Sequence, residues 1–268
     1  MTQRITEWSP RFKARVAGAL YLIGGTLGGF AEVFVRGRVV VYDDAAATAT
    51  NILTHESLYR LGGAADLISL VCDTAVALLF YDLFKPTSRS LSLLAAFFRL
   101  TWVAPMVLNS LNHFAPLALL GGAYYLNAFK PDQLRAMAYT SLKLHAQGYN
   151  IGLVFFGVTC VLLGYLIFRS TFLPRVLGVL MAIAGLCYLT NSFTNFLSPA
   201  SARALFPWIL LGAFPGEFGL MLWLIIFGVN NERWKQQAEG INAYQSRQFG
   251  TLNLERSKAT PMRLPICF

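Results

Sequence analysis

Apolar residues along this chain are grouped in six long blocks separated by short polar segments. The blocks lack both the alternation of a half-buried strand and the 3.6-residue stripe of a surface helix. Each block has at least the ~20 residues that an α-helix needs to cross a hydrocarbon core of ~30 Å. The pattern therefore predicts an all-α, polytopic transmembrane helix bundle of about six spans, at 15–35, 60–83, 89–126, 133–168, 174–197 and 205–229.

The third and fourth blocks are longer than one crossing requires. At 1.5 Å per residue each would extend over roughly 50 Å. Pro131, between them, suits the first turn of a helix. We expect spans three and four to form an overlong hairpin that projects to the outer side of the membrane. The alternative divides the third span near 112–116 and gives seven crossings.

Three regions follow from this pattern: a basic N-terminus (1–14), a transmembrane helical domain (15–230) and a polar tail (231–268). The first block continues to Val35, longer than the apolar region of a cleaved signal peptide, and is predicted to be a retained span. The tail is polar and lacks periodicity, so we expect it to be largely disordered. Residues 43–58 resemble a short amphipathic helix that caps the hairpin or rests on the membrane surface.

Composition and charge agree with a membrane location. Apolar residues make up 56% of the 268 residues and charged residues 13%, against roughly 25% in soluble domains. The net charge of +9 comes from basic residues at block edges, a distribution that sets topology and does not indicate nucleic-acid binding. Of 22 Lys and Arg, 14 fall on the side of the termini and seven on the other. We therefore expect a multi-pass cell-membrane protein with cytoplasmic N- and C-termini and the lipid bilayer as its partner.

Ionisable residues inside the spans are the first candidates for function, because each needs a partner, a water-filled cavity or a task. Asp66 and Asp73 lie seven residues apart, hence on one helix face. Asp73 and Arg99 fall at similar depth on adjacent antiparallel spans. Two interpretations of a buried Asp73–Arg99 pair stay open: a structural ion pair, or a gating or proton-relay role.

A second polar group gathers in the outer half of the predicted bundle. It is compatible with a cavity open to the outside, or with hydrogen bonds that join helices. The outer group comprises Glu32, Asp66, Asn109, His113, His145, Tyr149, Asn150, Asn191 and Asn195.

Two further features concern helix shape and packing. Glu217 follows Pro215 and Gly216 in the sixth span, where a kink is expected. The first span carries four glycines that permit close helix packing.

Recognised catalytic and cofactor motifs are absent, which favours a role other than catalysis. The cysteines show no metal-binding or disulfide spacing, and we predict no cofactor and no metal. The chain has three histidines, His55, His113 and His145, so a three-histidine metal site is geometrically conceivable.

The stretch from Ala14 to about Val229 resembles a prokaryotic membrane family known as domain of unknown function 4386. The most specific likeness is the run GYLIFRS (164–170), which continues through Pro174 and Arg175 to Gly178. Further likeness lies in AEVFVRGRVVV (31–41), DAAATATNIL (44–53), LLAAFFRL (93–100), GYNIGLVFFG (148–157) and GEFGLMLWL (216–224). The resemblance implies a multi-spanning membrane protein and supplies no activity.

The leading hypothesis is an outward-facing polar cavity that binds a small molecule or an ion, in transport or sensing. One alternative is an intramembrane metal-dependent hydrolase built on His113, His145 and Asp66. Another is a structural or interaction protein whose outer hairpin binds a partner. The sequence indicates no oligomeric state. The candidate cavity residues are Glu32, Asp66, Asp73, Arg99, Asn109, His113, His145, Tyr149, Asn191 and Glu217.

Overall fold

A computed structural model describes residues 8–205 and 208–240, which form helices joined by short turns with no β-strand among them. The helices are α1 (Pro10–Val39), α2 (Ala45–Thr54), α3 (Glu56–Phe84), α4 (Arg89–Leu120), α5 (Pro131–Arg169), α6 (Arg175–Leu197), α7 (Pro199–Leu205), α8 (Trp208–Ile226) and α9 (231–240). Six of them, α1, α3, α4, α5, α6 and α8, are long and apolar enough to cross a membrane, which confirms the predicted fold class.

The six long helices form a closed ring. Each packs against the long helix before it and the long helix after it, and α8 returns to pack against α1. Successive helices run in opposite directions, so the ring has two ends. We call the end with the start of α1 the proximal end and the opposite one the distal end.

The proximal end holds both termini of the described chain. The Arg11 amide donates to Asn231 Oδ1 at 2.9 Å, and Trp234 Nε1 donates to the Leu83 carbonyl at 2.8 Å. Lys13 Nζ lies 2.8 Å from Asp82 Oδ2. Residues 231–240 are helical where the sequence pattern predicts disorder, while the rest of the predicted tail, 241–268, and residues 1–7 of the N-terminus lie outside the described residues.

The distal end is covered by α2 and a small apolar cluster. Asp44 caps α2, because its Oδ1 accepts a hydrogen bond from the Ala47 amide at 2.8 Å. Ile52 of α2 is fully buried with Val35 of α1 and Tyr59 of α3. The predicted helix within 43–58 is therefore present and roofs this side of the ring.

The end of α4, in the α4–α5 hairpin, differs from the sequence pattern. α4 ends at Leu120 rather than 126, because Gly122 follows with φ +70° and a 3₁₀ helix, Tyr124–Ala128, makes the connection. α4 is continuous through Pro105 and Pro116, so the third span is not divided, and the part of the chain that the structure describes has six candidate spans. The helices have 32 and 39 residues; projection of the hairpin beyond the bilayer stays a prediction.

Small residues bring α5 and α6 into close contact. A Cβ built on Gly164 would lie 2.7 Å from the Gly178 carbonyl oxygen, and one on Gly157 would lie 3.0 Å from the Gly185 carbonyl oxygen. Contacts this short require glycine, because no side chain fits between the two backbones. Lipid offers helices little hydrophobic reason to associate, so such close packing supplies much of the attraction.

We expect Gly164→Ala to destabilise the protein by about 1–3 kcal/mol, because the new methyl group overpacks the α5–α6 contact. Gly29→Ala is the matched control, since a Cβ there meets nothing within 4 Å and alanine favours helix by up to ~1 kcal/mol. Unfolding of the purified protein in mixed micelles, titrated with dodecyl sulfate, measures both. Equal effects of the two substitutions would contradict this packing.

Candidate functional site: a polar cavity inside the helix ring

The ring of six helices encloses a cavity of about 240 Å³. All six long helices contribute to its wall, so the cavity exists only in the assembled bundle. It lies in the middle and distal part of the ring. Its polar and aromatic lining residues are Tyr21 and Arg36 of α1, Asp66, Ser69 and Asp73 of α3, Trp102 and Ser110 of α4, His145, Tyr149 and Phe156 of α5, Tyr188 of α6 and Glu217 of α8.

An ion pair between α3 and α4 lies at the proximal side of this cavity. Arg99 Nη2 is 2.5 Å from Asp73 Oδ1, and only 1% of the Arg99 side chain is exposed. Trp102 Nε1 donates to the other oxygen, Asp73 Oδ2, at 3.0 Å. The charge of Arg99 is thus balanced by Asp73, while both carboxylate oxygens of Asp73 are hydrogen-bonded.

Aromatic rings enclose the guanidinium group of Arg99. Its Cζ lies 4.6 Å from the centroid of Tyr21 and 5.4 Å from that of Phe156, distances at which a cation is attracted to a ring face. Trp102 fits beside Phe156 because a Cβ on Gly152 would lie 2.6 Å from its indole. α1, α4 and α5 therefore meet around one buried cation.

A second ionic cluster lies at the distal side. Arg36 binds Glu32 through Nε at 2.6 Å and Asp66 through Nη1 at 2.5 Å. α1 is π-helical over Phe30–Arg36, and the amide of Gly37 donates to the carbonyl of Glu32, five residues earlier. This wider turn continues the helix past Val35, so that Arg36 is 8% exposed inside the bundle. The sequence pattern ended this span at Val35, whereas α1 continues through Arg36 to Val39.

Two histidines lie between this cluster and the cavity, with ring centroids 5.8 Å apart. His113 Nε2 lies 3.1 Å from the Tyr59 carbonyl, and its Nδ1 faces Arg36 at 3.5 Å. His145 Nδ1 lies 3.2 Å from the Asn109 carbonyl, while the Asn109 amide donates to the His145 carbonyl at 2.8 Å. A Cβ on Gly148 would overlap the Asn109 side chain, so α4 and α5 approach closely here.

These contacts do not form the ligand set of the hydrolase hypothesis. Both ring nitrogens of His113 face protein groups, and Asp66 is paired with Arg36. Among residues 8–205 and 208–240, no group of three His, Cys, Asp or Glu side chains is placed to hold a metal ion. His55 lies at the junction between α2 and α3. In the described part of the chain it does not complete a three-histidine metal site with His113 and His145.

Glu217 brings the last helix to the cavity. Its carboxyl group neighbours the hydroxyl groups of Tyr21 and Tyr188, and its Oε1 is buried without a hydrogen-bond partner. Gly216 allows the approach, because a Cβ there would lie 2.8 Å from the backbone carbon of Leu180 on α6. Pro215 lies within α8, which continues through it as a helix.

The ten residues predicted from the sequence separate into three groups. The five that line the cavity are Asp66, Asp73, His145, Tyr149 and Glu217. Four contact lining residues without lining the cavity themselves: Glu32, Arg99, Asn109 and His113. One lies away from the lining: Asn191, which donates to Asn150 Oδ1 at 3.2 Å and accepts at its carbonyl from Asn195.

Several residues that line the cavity were not predicted from the sequence. Tyr21 and Trp102 are aromatic residues in apolar blocks, where a lipid-facing or packing role is the ordinary interpretation. The glycines of α1 were interpreted as packing residues. Gly24 packs on α3, but a Cβ on Gly29 meets nothing within 4 Å and Gly28 faces Ser69 across the cavity wall. Their spacing on one face was the available signal.

The fold defines a class: polytopic membrane proteins built as a ring of helices. The chain belongs to the family described as domain of unknown function (DUF4386), whose model matches residues 16–228. It is 27% identical over 172 residues to an "Uncharacterized protein" of Archaeoglobus fulgidus, an alignment that covers 64% of this chain and 85% of the relative. No solved structure matches the chain. The resemblance inferred from the sequence is confirmed.

We expect Asp73→Asn and Arg99→Met each to destabilise the protein by about 3–5 kcal/mol, because either leaves a buried charge without its partner. The double variant should recover a large part of that loss, since it removes both charges. Unfolding free energies in mixed micelles measure the cycle. Glu56→Gln, which breaks an exposed pair with Arg60, is the control and should cost under about 1 kcal/mol. Single variants no worse than this control would show that the pair does not stabilise the bundle.

Proposed function

We propose that this protein binds a small polar molecule or ion in the cavity of the helix ring, and that it acts in transport or sensing across the cell membrane. One observation carries the proposal: six spans each contribute to a single intramembrane cavity that holds Asp66, Asp73, His145 and Glu217. Ionisable side chains at membrane depth are costly and mark binding sites and ion or proton pathways.

The rival explanation is that these polar groups only join helices to one another. Hydrogen bonds with that role satisfy the groups on both sides, as Asn109 and His145 do through their backbone carbonyls. The cavity contains buried atoms that lack such partners, Glu217 Oε1 and His145 Nε2. An unsatisfied buried polar group costs roughly 1–3 kcal/mol, and a ligand that bonds to it would offset that cost.

We also propose which end of the helix ring faces the cytoplasm. The proximal end carries basic residues around the helix termini, including Lys13, Arg15, Lys85, Arg89, Arg169, Arg175, Arg233 and Lys235. Basic residues beside spans favour the cytoplasm, so we assign the proximal end to the cytoplasmic side and the distal end to the outside. The cavity then lies in the outer half, beneath α2, and we propose that its ligand enters from that side past this helix.

The reactivity of introduced cysteines tests whether the cavity is hydrated and open to the outside. In a variant without the four native cysteines, we expect Ser69→Cys to react with a charged, membrane-impermeant thiosulfonate from the outside. Ser69 lines the cavity, and hydrated thiols ionise and react, whereas thiols in lipid do not. Val71→Cys is the matched control, because Val71 lies two residues away on α3 and is 71% exposed on the outer surface of the ring. We expect modification of Ser69→Cys to be at least tenfold faster.

The side of reaction decides the orientation. Right-side-out and inverted vesicles receive the same reagent, and the labelled fraction is counted by mass spectrometry. Reaction only in inverted vesicles would contradict an outward-facing cavity. Equal, slow reaction at both positions from either side would contradict a hydrated cavity altogether.

A further inference from the structure

The hydrogen-bonding character of the cavity follows from His145. Its Nδ1 faces the Asn109 carbonyl oxygen at 3.2 Å. A carbonyl only accepts, so Nδ1 carries the hydrogen, and Nε2 of the neutral ring is an acceptor. His145 is 4% exposed, it lines the cavity, and its Nε2 has no protein partner. The cavity therefore presents a buried, unused acceptor.

Glu217 supplies a second acceptor of the same kind. Its Oε1 is buried and unpartnered, and the nearby groups are the hydroxyls of Tyr21 and Tyr188. None of the salt bridges in the described part of the chain involves Glu217, because Arg36 is bound to Glu32 and Asp66 and Arg99 to Asp73. The lining of the cavity thus has more carboxyl groups than basic side chains.

Three donors that line the cavity are already bonded within the protein, whereas the Tyr21 hydroxyl has no hydrogen-bond partner. Ser69 Oγ donates to the Gly24 carbonyl at 2.8 Å, and Ser110 Oγ donates to the Met106 carbonyl at 3.1 Å. Trp102 Nε1 donates to Asp73. The Tyr21 hydroxyl neighbours the carboxyl group of Glu217. An anionic ligand would therefore have to compete for the bonded donors or lie against this carboxyl group, whereas a ligand with its own donors meets free acceptors at Glu217 and His145.

The size and the walls of the cavity narrow the ligand further. A cavity of about 150 Å³ admits benzene, so about 240 Å³ accommodates roughly ten non-hydrogen atoms. The rings of Tyr21, Trp102, Tyr149, Phe156 and Tyr188 line it. Aromatic faces attract organic cations and also accept the apolar part of a small molecule.

We infer that the ligand is a small organic cation with N–H donors, such as a primary ammonium compound, whose charged group is held by Glu217 and whose remaining donor or polar end faces His145. This inference rests on the proposed binding function and adds the chemical class of the ligand. In the bound state an N–H group of the ligand donates to Glu217 Oε1, and the positive charge of the ligand balances the carboxylate of Glu217.

Isothermal titration calorimetry of the protein in lipid nanodiscs tests the inference with three probes of one shape. They are 2-(4-hydroxyphenyl)ethylammonium, the neutral 2-(4-hydroxyphenyl)ethanol and the anionic 4-hydroxyphenylacetate, whose phenol hydroxyl is the polar end that faces His145, with empty nanodiscs to subtract partitioning into lipid. We expect saturable binding of the ammonium probe at least tenfold tighter than that of either other probe. Glu217→Gln keeps the shape of the side chain and removes its charge, and should weaken ammonium binding at least tenfold.

Glu56→Gln, an exposed carboxylate outside the cavity, is the matched control and should bind as the parent does. An unchanged affinity in a folded Glu217→Gln variant would overturn the assignment of the charged group. Preference for the alcohol or the carboxylate would overturn the inference while leaving a binding cavity. Absence of saturable binding by all three would also overturn it, and the reactivity of Ser69→Cys decides separately whether the cavity is accessible.

Discussion

Arg99 is a fully charged side chain, 1% exposed, in the middle of a helix that crosses the hydrocarbon region. A charge in that position is stable only when a carboxylate and surrounding polarisable groups replace water. Asp73 supplies the carboxylate, and the rings of Tyr21 and Phe156 supply the surroundings. Four of the six spans must therefore meet at one depth, which fixes their register relative to one another.

The rest of the bundle follows from that meeting point. α1 reaches Arg99 through Tyr21 and α5 through Phe156. With α1, α3, α4 and α5 held at the cation, α6 packs on α5 through glycine contacts and α8 closes the ring onto α1. Nearer the distal end, a second buried cation, Arg36, is likewise paired with carboxylates, those of Glu32 and Asp66. What is left between the two clusters is a cavity rather than packed side chains.

Much of this fold was accessible from the sequence because hydrocarbon thickness and helix rise leave few choices. The same arithmetic placed Asp73 and Arg99 at one depth, and they form a pair. The role of Arg36 was not accessible, because the π-helical turn that carries α1 past Val35 has no marker in the hydrophobic pattern. Nor was the closure of α8 on α1, since hydropathy does not say which helices are neighbours. Tyr21 was missed because an aromatic ring in an apolar block has the same pattern whether it faces lipid, core or ligand.

We expect the ring to enclose a hydrated polar cavity beside the paired Arg99. A cryo-electron microscopy map of the protein in lipid nanodiscs, with a bound antibody fragment for alignment, would show this cavity. We expect density for ordered water or ligand in contact with Glu217 and His145, with Arg99 in hydrogen-bond contact with Asp73. A map in which α1 and α8 close tightly and apolar side chains fill this space would contradict this expectation.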